Sequence, residues 1–309
     1  MDVNDLKILE LLDKNSRFPY DAIGQIVGLT GNAVRSRVIQ MINDQVIENF
    51  VFKIHPKVFG VKTAYLKYTM NDKINTAEIV NEKIGKDPRY VEIITGINGE
   101  AVIRIYGRGD EDLKDAIKKL RNKMKEFQFD FLVKRYIPPL EEVIINNSLL
   151  KVMDCLIEDV RMSVADLAKK CNMTSKSIKY YLEQIKIQKI GRFSINFQPY
   201  KVTKRIFVNI LISKPNLDYI QFANIFESLK QDLNSYILKD YLLVDPPGVF
   251  CDITAESLEQ IDTIEHKIIE YLKDDYEFKK MFPSKKVYRT NLINRIVKEK
   301  IERLNVLSD

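Results

Sequence analysis

Two short segments of this sequence carry side chains able to grip phosphates and read base edges. Asn32, Arg35, Ser36, Arg37 and Gln40 interleave with the apolar Val34, Val38 and Met41. Ser175, Lys176, Ser177, Lys179 and Tyr180 interleave with Ile178, Leu182 and Ile185. At helical spacing the apolar set of each segment turns inward and the polar set turns outward. Arg, Lys, Asn, Ser and Tyr are the donors that hold phosphates, and Arg, Asn and Gln also fit base edges. Neither outward face has an acid in its first two turns. A solvated helix face is the alternative reading of each segment. The elements in front of them decide between the two.

Other chemistry is sparse. His55 and His266 are the only histidines, and neither has a Cys or His at metal-ligand spacing. No Ser/His/Asp set and no phosphate loop is visible, so no catalytic residue, metal or cofactor is expected. The three cysteines, Cys155, Cys171 and Cys251, are odd in number and widely spaced, which fits a reducing cytoplasm better than a disulfide framework.

The elements that position the first face begin with an amphipathic helix over residues 4–14, carrying Leu6, Ile8, Leu9, Leu11 and Leu12. Pro19 suits the first turn of a second helix, which runs through Ile23, Ile26 and Val27. Gly28 can end that helix in the left-handed conformation. Leu29 plugs the gap, and Thr30 caps a third helix. That third helix is expected to bury Val34, Val38, Met41 and Ile42. This is a helix-turn-helix pattern, with the polar face at its recognition position. A short alternating run, Val51 to Ile54, suggests the strand of a wing.

The pattern then repeats. Leu6 to Leu12 corresponds to Leu150 to Leu156 at an offset of 144 residues. In that register Arg17 meets Arg161, Gly24 meets Ala168, and Gly28-Leu29-Thr30 meets Asn172-Met173-Thr174. Asn is the next best residue for the left-handed turn. Pro56 corresponds to Pro199, an offset of 143. Phe193 to Asn196 supplies the second wing strand.

Behind each front the period changes. Residues 64–70, 90–95, 101–106 and 129–133 read as strands, with helices through 77–84 and 110–125 between them. That order, β-α-β-β-α-β, is ferredoxin-like. The second copy gives strands at 206–212, near 236–244, 249–254 and 286–288, with helices at about 217–232 and 256–273. A last amphipathic helix, 292–304, has no counterpart in the first copy, and docks on the body or on another chain. The fold class is α+β, with two tandem units, each a winged helix-turn-helix followed by a ferredoxin-like domain. The expected domains are 1–56, 57–140, 141–200 and 201–309.

Composition agrees with a folded, non-membrane chain. The 309 residues are 45% hydrophobic and 30% charged, with 11 Gly and 10 Pro, which excludes disordered and collagen-like classes. No stretch approaches the ~18 apolar residues of a membrane span, and Met1 to Asp5 has no basic n-region, so no secretory signal is expected. The net charge is +6. Residues 1–56 hold six Lys/Arg against seven Asp/Glu, whereas residues 147–200 hold nine against five. Phosphate affinity should therefore be greater at the second module.

The residues Asp2, Asp5, Ile8, Leu9, Arg17, Gly28-Leu29-Thr30, Val34, Arg37, Val38, Val46-Ile47 and Pro56 together resemble the Lrp/AsnC family of feast/famine regulators. The resemblance covers nearly the whole chain, and is stronger in the first copy. It implies a cytoplasmic, sequence-specific transcription regulator with double-stranded DNA as partner. Family members carry one unit per chain and form dimers through their ferredoxin-like sheets. Two units in one chain would resemble a built-in dimer with two different reading heads, suited to asymmetric sites. A homodimer or higher assembly is a further implied partner. The family also binds small effectors beside a Thr-Gly-x-x-Asp loop. Here that loop reads Thr95-Gly96-Ile97-Asn98-Gly99, so the acid is missing, and Glu100 follows. Thr95, Gly96, Asn98 and Gly99 are the effector candidates, for a small molecule of unspecified identity. The bland reading of this loop is a tight β-turn. Two alternatives stand beside the regulator. One is an Lrp-like enzyme such as a tetrapyrrole decarboxylase, for which His266 is the sole histidine of the rear domains. The other is a protein-binding scaffold using the last helix and the sheet edges.

Overall fold

In a computed structural model the chain forms eleven α-helices and ten strands among the described residues. The structure describes all residues except 71–74, 97, 136–142, 204, 215–216, 234–236, 246, 273–276 and 307–309. The chain divides into two compact units, each drawing on both copies of the repeat. The first comprises Met1–Val61, Pro139–Lys201 and Asn291–Asp309; the second comprises Lys62–Pro138 and Val202–Thr290.

The first unit holds both helix-turn-helix modules. Helices α1 (Val3–Lys14), α2 (Tyr20–Val27) and α3 (Gly31–Asn43) lead into strand β1 (Ile47–Ile54). Helices α6 (Asn147–Glu158), α7 (Val164–Cys171) and α8 (Ser175–Ile187) lead into β6 (Gly191–Phe197). Each front contributes one strand, and a lone strand leaves its backbone groups unpaired. The two strands solve this by pairing with each other, antiparallel, in a two-stranded sheet. Val51 faces Ser194, its own counterpart at the offset of 143. The sheet is therefore centred on equivalent residues, as an isologous contact requires.

Two arginines repeat that symmetry. Arg17 Nη1 donates to the Val160 carbonyl, and Arg161 Nη1 donates to the Ser16 carbonyl. Arg17 lies over the Phe193 ring at 5.5 Å, and Arg161 over the Phe50 ring at 5.2 Å. Burial, then the charge of Arg161, pulls the Arg17 pKa below its usual value. One polar cluster breaks the symmetry. Ser194 Oγ donates to Asp13 Oδ1 at 2.7 Å, and Lys53 Nζ donates to Ser194 Oγ at 3.0 Å and to the Ile195 carbonyl at 2.9 Å. The counterparts of Asp13 and Ser194 are the apolar Ile157 and Val51.

The last helix, α11 (Leu292–Val306), belongs to this unit. It packs on α6 and on the 3₁₀ turn Pro56–Phe59, burying Leu292, Ile293, Ile296 and Val297. Of the two placements expected for it, the structure thus shows docking on the body of the same chain.

The second unit contains β2 (Lys62–Thr69), α4 (Thr76–Ile84), β3 (Tyr90–Gly96), β4 (Glu100–Gly107), α5 (Asp110–Lys123) and β5 (Gln128–Arg135). It continues with β7 (Ile206–Ser213), α9 (Tyr219–Leu233), β8 (Ile237–Asp245), β9 (Pro247–Ala255), α10 (Leu258–Leu272) and β10 (Glu277–Arg289). Within each copy the sheet order is ferredoxin-like. The two sheets join through β5–β8 and β10–β3 into one closed eight-stranded barrel. β10 is much longer than the expected 286–288, because its first half pairs with β7 and its second half with β3.

Among the described residues of this unit, alternating strand residues divide the core into three clusters. Leu66, Tyr68, Ile103 and Ile105 meet the α4 and α5 side in one cluster. Val208, Ile210, Cys251 and Ile253 pack with Phe222, Phe226, Ile264 and Ile268 in the second. Tyr65, Ile94, Val102, Leu211, Leu243, Phe250 and Val287 fill the third, on the opposite face of the strands. No helix among the described residues is long and apolar enough to cross a membrane.

Candidate functional site

The turn that aims α3 is built as its residues dictate. Gly28 ends α2 at φ 72°, ψ 33°, in the left-handed region. Leu29 N–H donates to the Gly24 carbonyl at 2.9 Å, and a Cβ on Gly24 would overlap the Leu29 carbonyl oxygen. Thr30 Oγ1 accepts from Ala33 N–H at 3.1 Å, capping α3. The second module uses other residues for the same geometry. Asn172 takes φ 53°, ψ 53°, Met173 N–H donates to the Ala168 carbonyl at 2.9 Å, and Thr174 Oγ1 accepts from Ser177 N–H at 3.1 Å. Pro19 stands one position earlier than expected, as the N-cap of α2, with no side-chain cap. Its counterpart Ser163 does cap α7, accepting from Asp166 N–H.

The inward faces are Val34, Val38 and Met41 on α3, and Ile178 and Ile185 on α8. Leu182 is half-buried. Ile42, expected inside, is 38% exposed, because α3 has turned past its packed side by that residue. Outward, Asn32, Arg35, Ser36 and Gln40 are exposed on α3, and Ser175, Lys176, Lys179 and Tyr180 on α8. Both helices have acid-free first turns, and at the N-terminus of α3 the Asp21 carboxylate of α2 lies where a Cβ on Gly31 would stand, against the positive end of that helix dipole. Tyr180 stands edge-on to Tyr181, with ring centroids 5.3 Å apart. Gln40 Nε2 donates to both Asp44 carboxylate oxygens at 3.0 Å.

Two residues of the expected set are committed elsewhere. Arg37 Nη1 pairs with Asp2 Oδ2 at 2.7 Å and Asp5 Oδ1 at 2.8 Å. These acids raise the pKa of Arg37. The Asp5 backbone N–H, then Arg37, holds the Asp2 carboxyl below its ordinary value. Arg37 therefore ties α3 to the start of α1. Asp2 and Asp5 also make a capping box at the start of α1. Ser177 is half-buried, and its hydroxyl sits 2.9 Å from Thr174 Oγ1 inside the cap. The alignment of Arg17 with Arg161 in the sequence does not show their shared role at the strand pair. The equal offset, and an aromatic strand in each copy, were the available clue.

In the second unit Thr95 and Gly96 end β3, and Asn98 and Gly99 precede β4. Thr95 is fully buried and its Oγ1 donates to the Lys286 carbonyl at 3.1 Å. Gly96 is buried, Asn98 is exposed, and Ile97 lies outside the described residues. Gly99 has φ 87° and its carbonyl accepts from Met70 N–H at 2.9 Å. Of the four candidates only Asn98 is exposed. His266 is exposed on α10 and His55 is half-buried. No group of three or more metal-ligating side chains is assembled among the described residues.

The two capped helix-turn-helix modules joined through one strand pair in the first unit, and the two ferredoxin-like sheets of the second, define a tandem member of the regulator fold. Comparison with known proteins agrees. A family model described as the AsnC-type helix-turn-helix domain matches residues 1–42. The HTH-type transcriptional regulator LrpA of Pyrococcus abyssi is 30% identical over 119 residues, which are 38% of this chain and 83% of that protein. The HTH-type transcriptional regulator LysM of Saccharolobus solfataricus is 33% identical over 109 residues, 35% of this chain and 74% of that one. Among solved structures, the siroheme decarboxylase NirDL matches with a TM-score of 0.56 at 13% identity, covering 98% of this chain and 99% of the other. That likeness concerns the fold, and it spans both copies. The chain belongs to the Lrp/AsnC family.

Proposed function

We propose that the protein is a sequence-specific, DNA-binding transcription regulator, pseudo-dimeric within one chain, whose helices α3 and α8 enter major grooves. The observation that carries this reading is the reciprocal join of the two modules, in which Val51 meets Ser194 and Arg17 and Arg161 exchange equivalent contacts. Such a join is what presents two reading heads as a pair. The exposed Asn32, Arg35, Ser36 and Gln40 form one head, and Ser175, Lys176, Lys179 and Tyr180 the other. Their half-sites would lie about 34 Å apart, one turn of DNA. The heads differ in sequence, so the preferred site is asymmetric. A cytoplasmic location accompanies this reading.

The test is fluorescence anisotropy with the host's upstream DNA fragments at two salt concentrations, against a scrambled duplex. Tight binding to a few fragments that persists at the higher salt is the expected result. Arg35→Ala should then cost about 1–3 kcal/mol at such a site. Equal, salt-labile binding to every duplex would remove the recognition-helix assignment.

The fold likeness to a siroheme decarboxylase over 98% of the chain favours one second reading, an enzyme acting on a tetrapyrrole. Titration with an iron tetrapyrrole, followed by its absorbance band, separates the two. A shifted, saturable band would support the enzyme, and an unchanged spectrum would leave the regulator.

A further inference from the structure

Cys155 on α6 and Cys171 at the end of α7 have their Sγ atoms 3.2 Å apart. Both are free thiols, 7% and 6% exposed. A disulfide is ~2.05 Å long, so closure needs the sulfurs to approach by about 1 Å. Packing alone does not demand this pair. In the first module the equivalent positions are Leu11 and Val27, and the same two helices form there. Cysteine can serve as a small apolar filler, but two such fillers in direct contact also form a dithiol. Cys171 immediately precedes the left-handed Asn172, so closure would tie the scaffold helix α6 to the turn that aims α8.

We propose that Cys155 and Cys171 form a redox-active dithiol that closes to a disulfide within the second helix-turn-helix, the oxidant being a low-molecular-weight disulfide such as oxidised glutathione. One cysteine thiolate attacks the oxidant, forming a mixed disulfide and releasing one glutathione thiolate. The other thiolate attacks the protein sulfur of that mixed disulfide and releases the second. Two electrons pass from the protein thiols to the oxidant, and the two protons end on the released glutathiones. Burial, then the neighbouring thiol, raises the Cys155 pKa well above the ordinary thiol value. Little thiolate forms in the closed module, so exchange proceeds through local opening of α7 and is slow. The first module lacks the pair and does not respond.

The full chain is equilibrated across a series of reduced-to-oxidised glutathione ratios, quenched in acid, denatured and alkylated, and the remaining thiols are counted by mass. The count should fall from three to one, with Cys251 still alkylated and a crosslinked peptide joining 155 to 171. Three alkylated thiols at every ratio, or glutathione adducts without the internal link, would overturn the proposal. Hydrogen exchange gives a second readout. Oxidation should slow exchange over 147–171 by at least about tenfold, because the link removes opening modes of α6 and α7. Exchange over 3–27 should not change. A disulfide that left 147–171 as open as before would remove the claim that the module responds. The variant Cys155→Leu with Cys171→Val installs the first module's pair and should lose both effects. Should that variant fail to fold, the thiol count on the native chain still decides.

Discussion

In the first helix-turn-helix, α2 ends on Gly28 and the start of α1 is clamped to Arg37 by two acids. In the second, α7 ends on Asn172, and the positions matching Asp2, Asp5 and Arg37 are Asn146, Leu149 and Tyr181, which cannot form that ion pair. The second module gains other support. α11 lies on α6, which buries six side chains where α1 buries three. The two modules thus keep their capping threonines, a left-handed turn residue and an inward apolar face. They differ in the charge they display and in what braces the first helix. The constraint is on backbone geometry and burial, and several residue types meet it. The outward charge is under no such constraint, which is why +4 on residues 147–200 can stand beside −1 on residues 1–56.

The sharpest break in this comparison should come from α11. Ile293 is 3% exposed, and Ile293→Ala should cost about 2–5 kcal/mol. Hydrogen exchange should rise in α6 and stay level in α1; equal loosening of both helices would refute the unequal bracing. Next is the turn. Gly24→Ala forces a methyl group onto the Leu29 carbonyl and should cost about 1–3 kcal/mol, read by chemical denaturation. Ala168→Gly relieves no clash and should cost only about 0.5–1 kcal/mol. Similar values at both sites would mean that the turns are packed alike.

Arg37→Ala should lower Tm by less, leave base preference unchanged, and do so only above the acid range. The Asp2 carboxyl is depressed in the folded state, so its support is full above the ordinary carboxylate value near ~4 and is lost as pH falls below it. Wild type and variant should converge as the pH falls through the depressed Asp2 value. A pH-independent gap would assign the loss to the arginine stem instead. Last, replacing Lys176 and Lys179 by Ala should flatten the salt slope of DNA binding by up to about two units. An unaltered slope would return both lysines to the solvated face.

Much of the scaffold could be read from local chemistry. The caps at Thr30 and Thr174 and the left-handed Gly28 and Asn172 follow from single residues and their neighbours. Long-range pairing could not be read in this way. Nothing in Val51 to Ile54 says that its partner is Gly191 to Ser194, because hydrogen-bond donors carry no address. The same holds for β10 joining β3 and β7. Arg37 shows a second limit. Its position on the helix suits a base contact, and only the fold brings Asp2 and Asp5 across to occupy it. Thr95 is similar, since its burial and its bond to Lys286 come from a strand nearly two hundred residues away.

The join at Val51 and Ser194 also bears on dosage. Two separate chains must first find each other, so the fraction able to bind as a pair falls with dilution. Here both partners lie on one chain, so their pairing is intramolecular and does not weaken on dilution. Occupancy of a two-part site should then follow the first power of protein concentration down to the scarcest levels. On the proposed reading, a cell holding a few copies would have every one of them ready to bind.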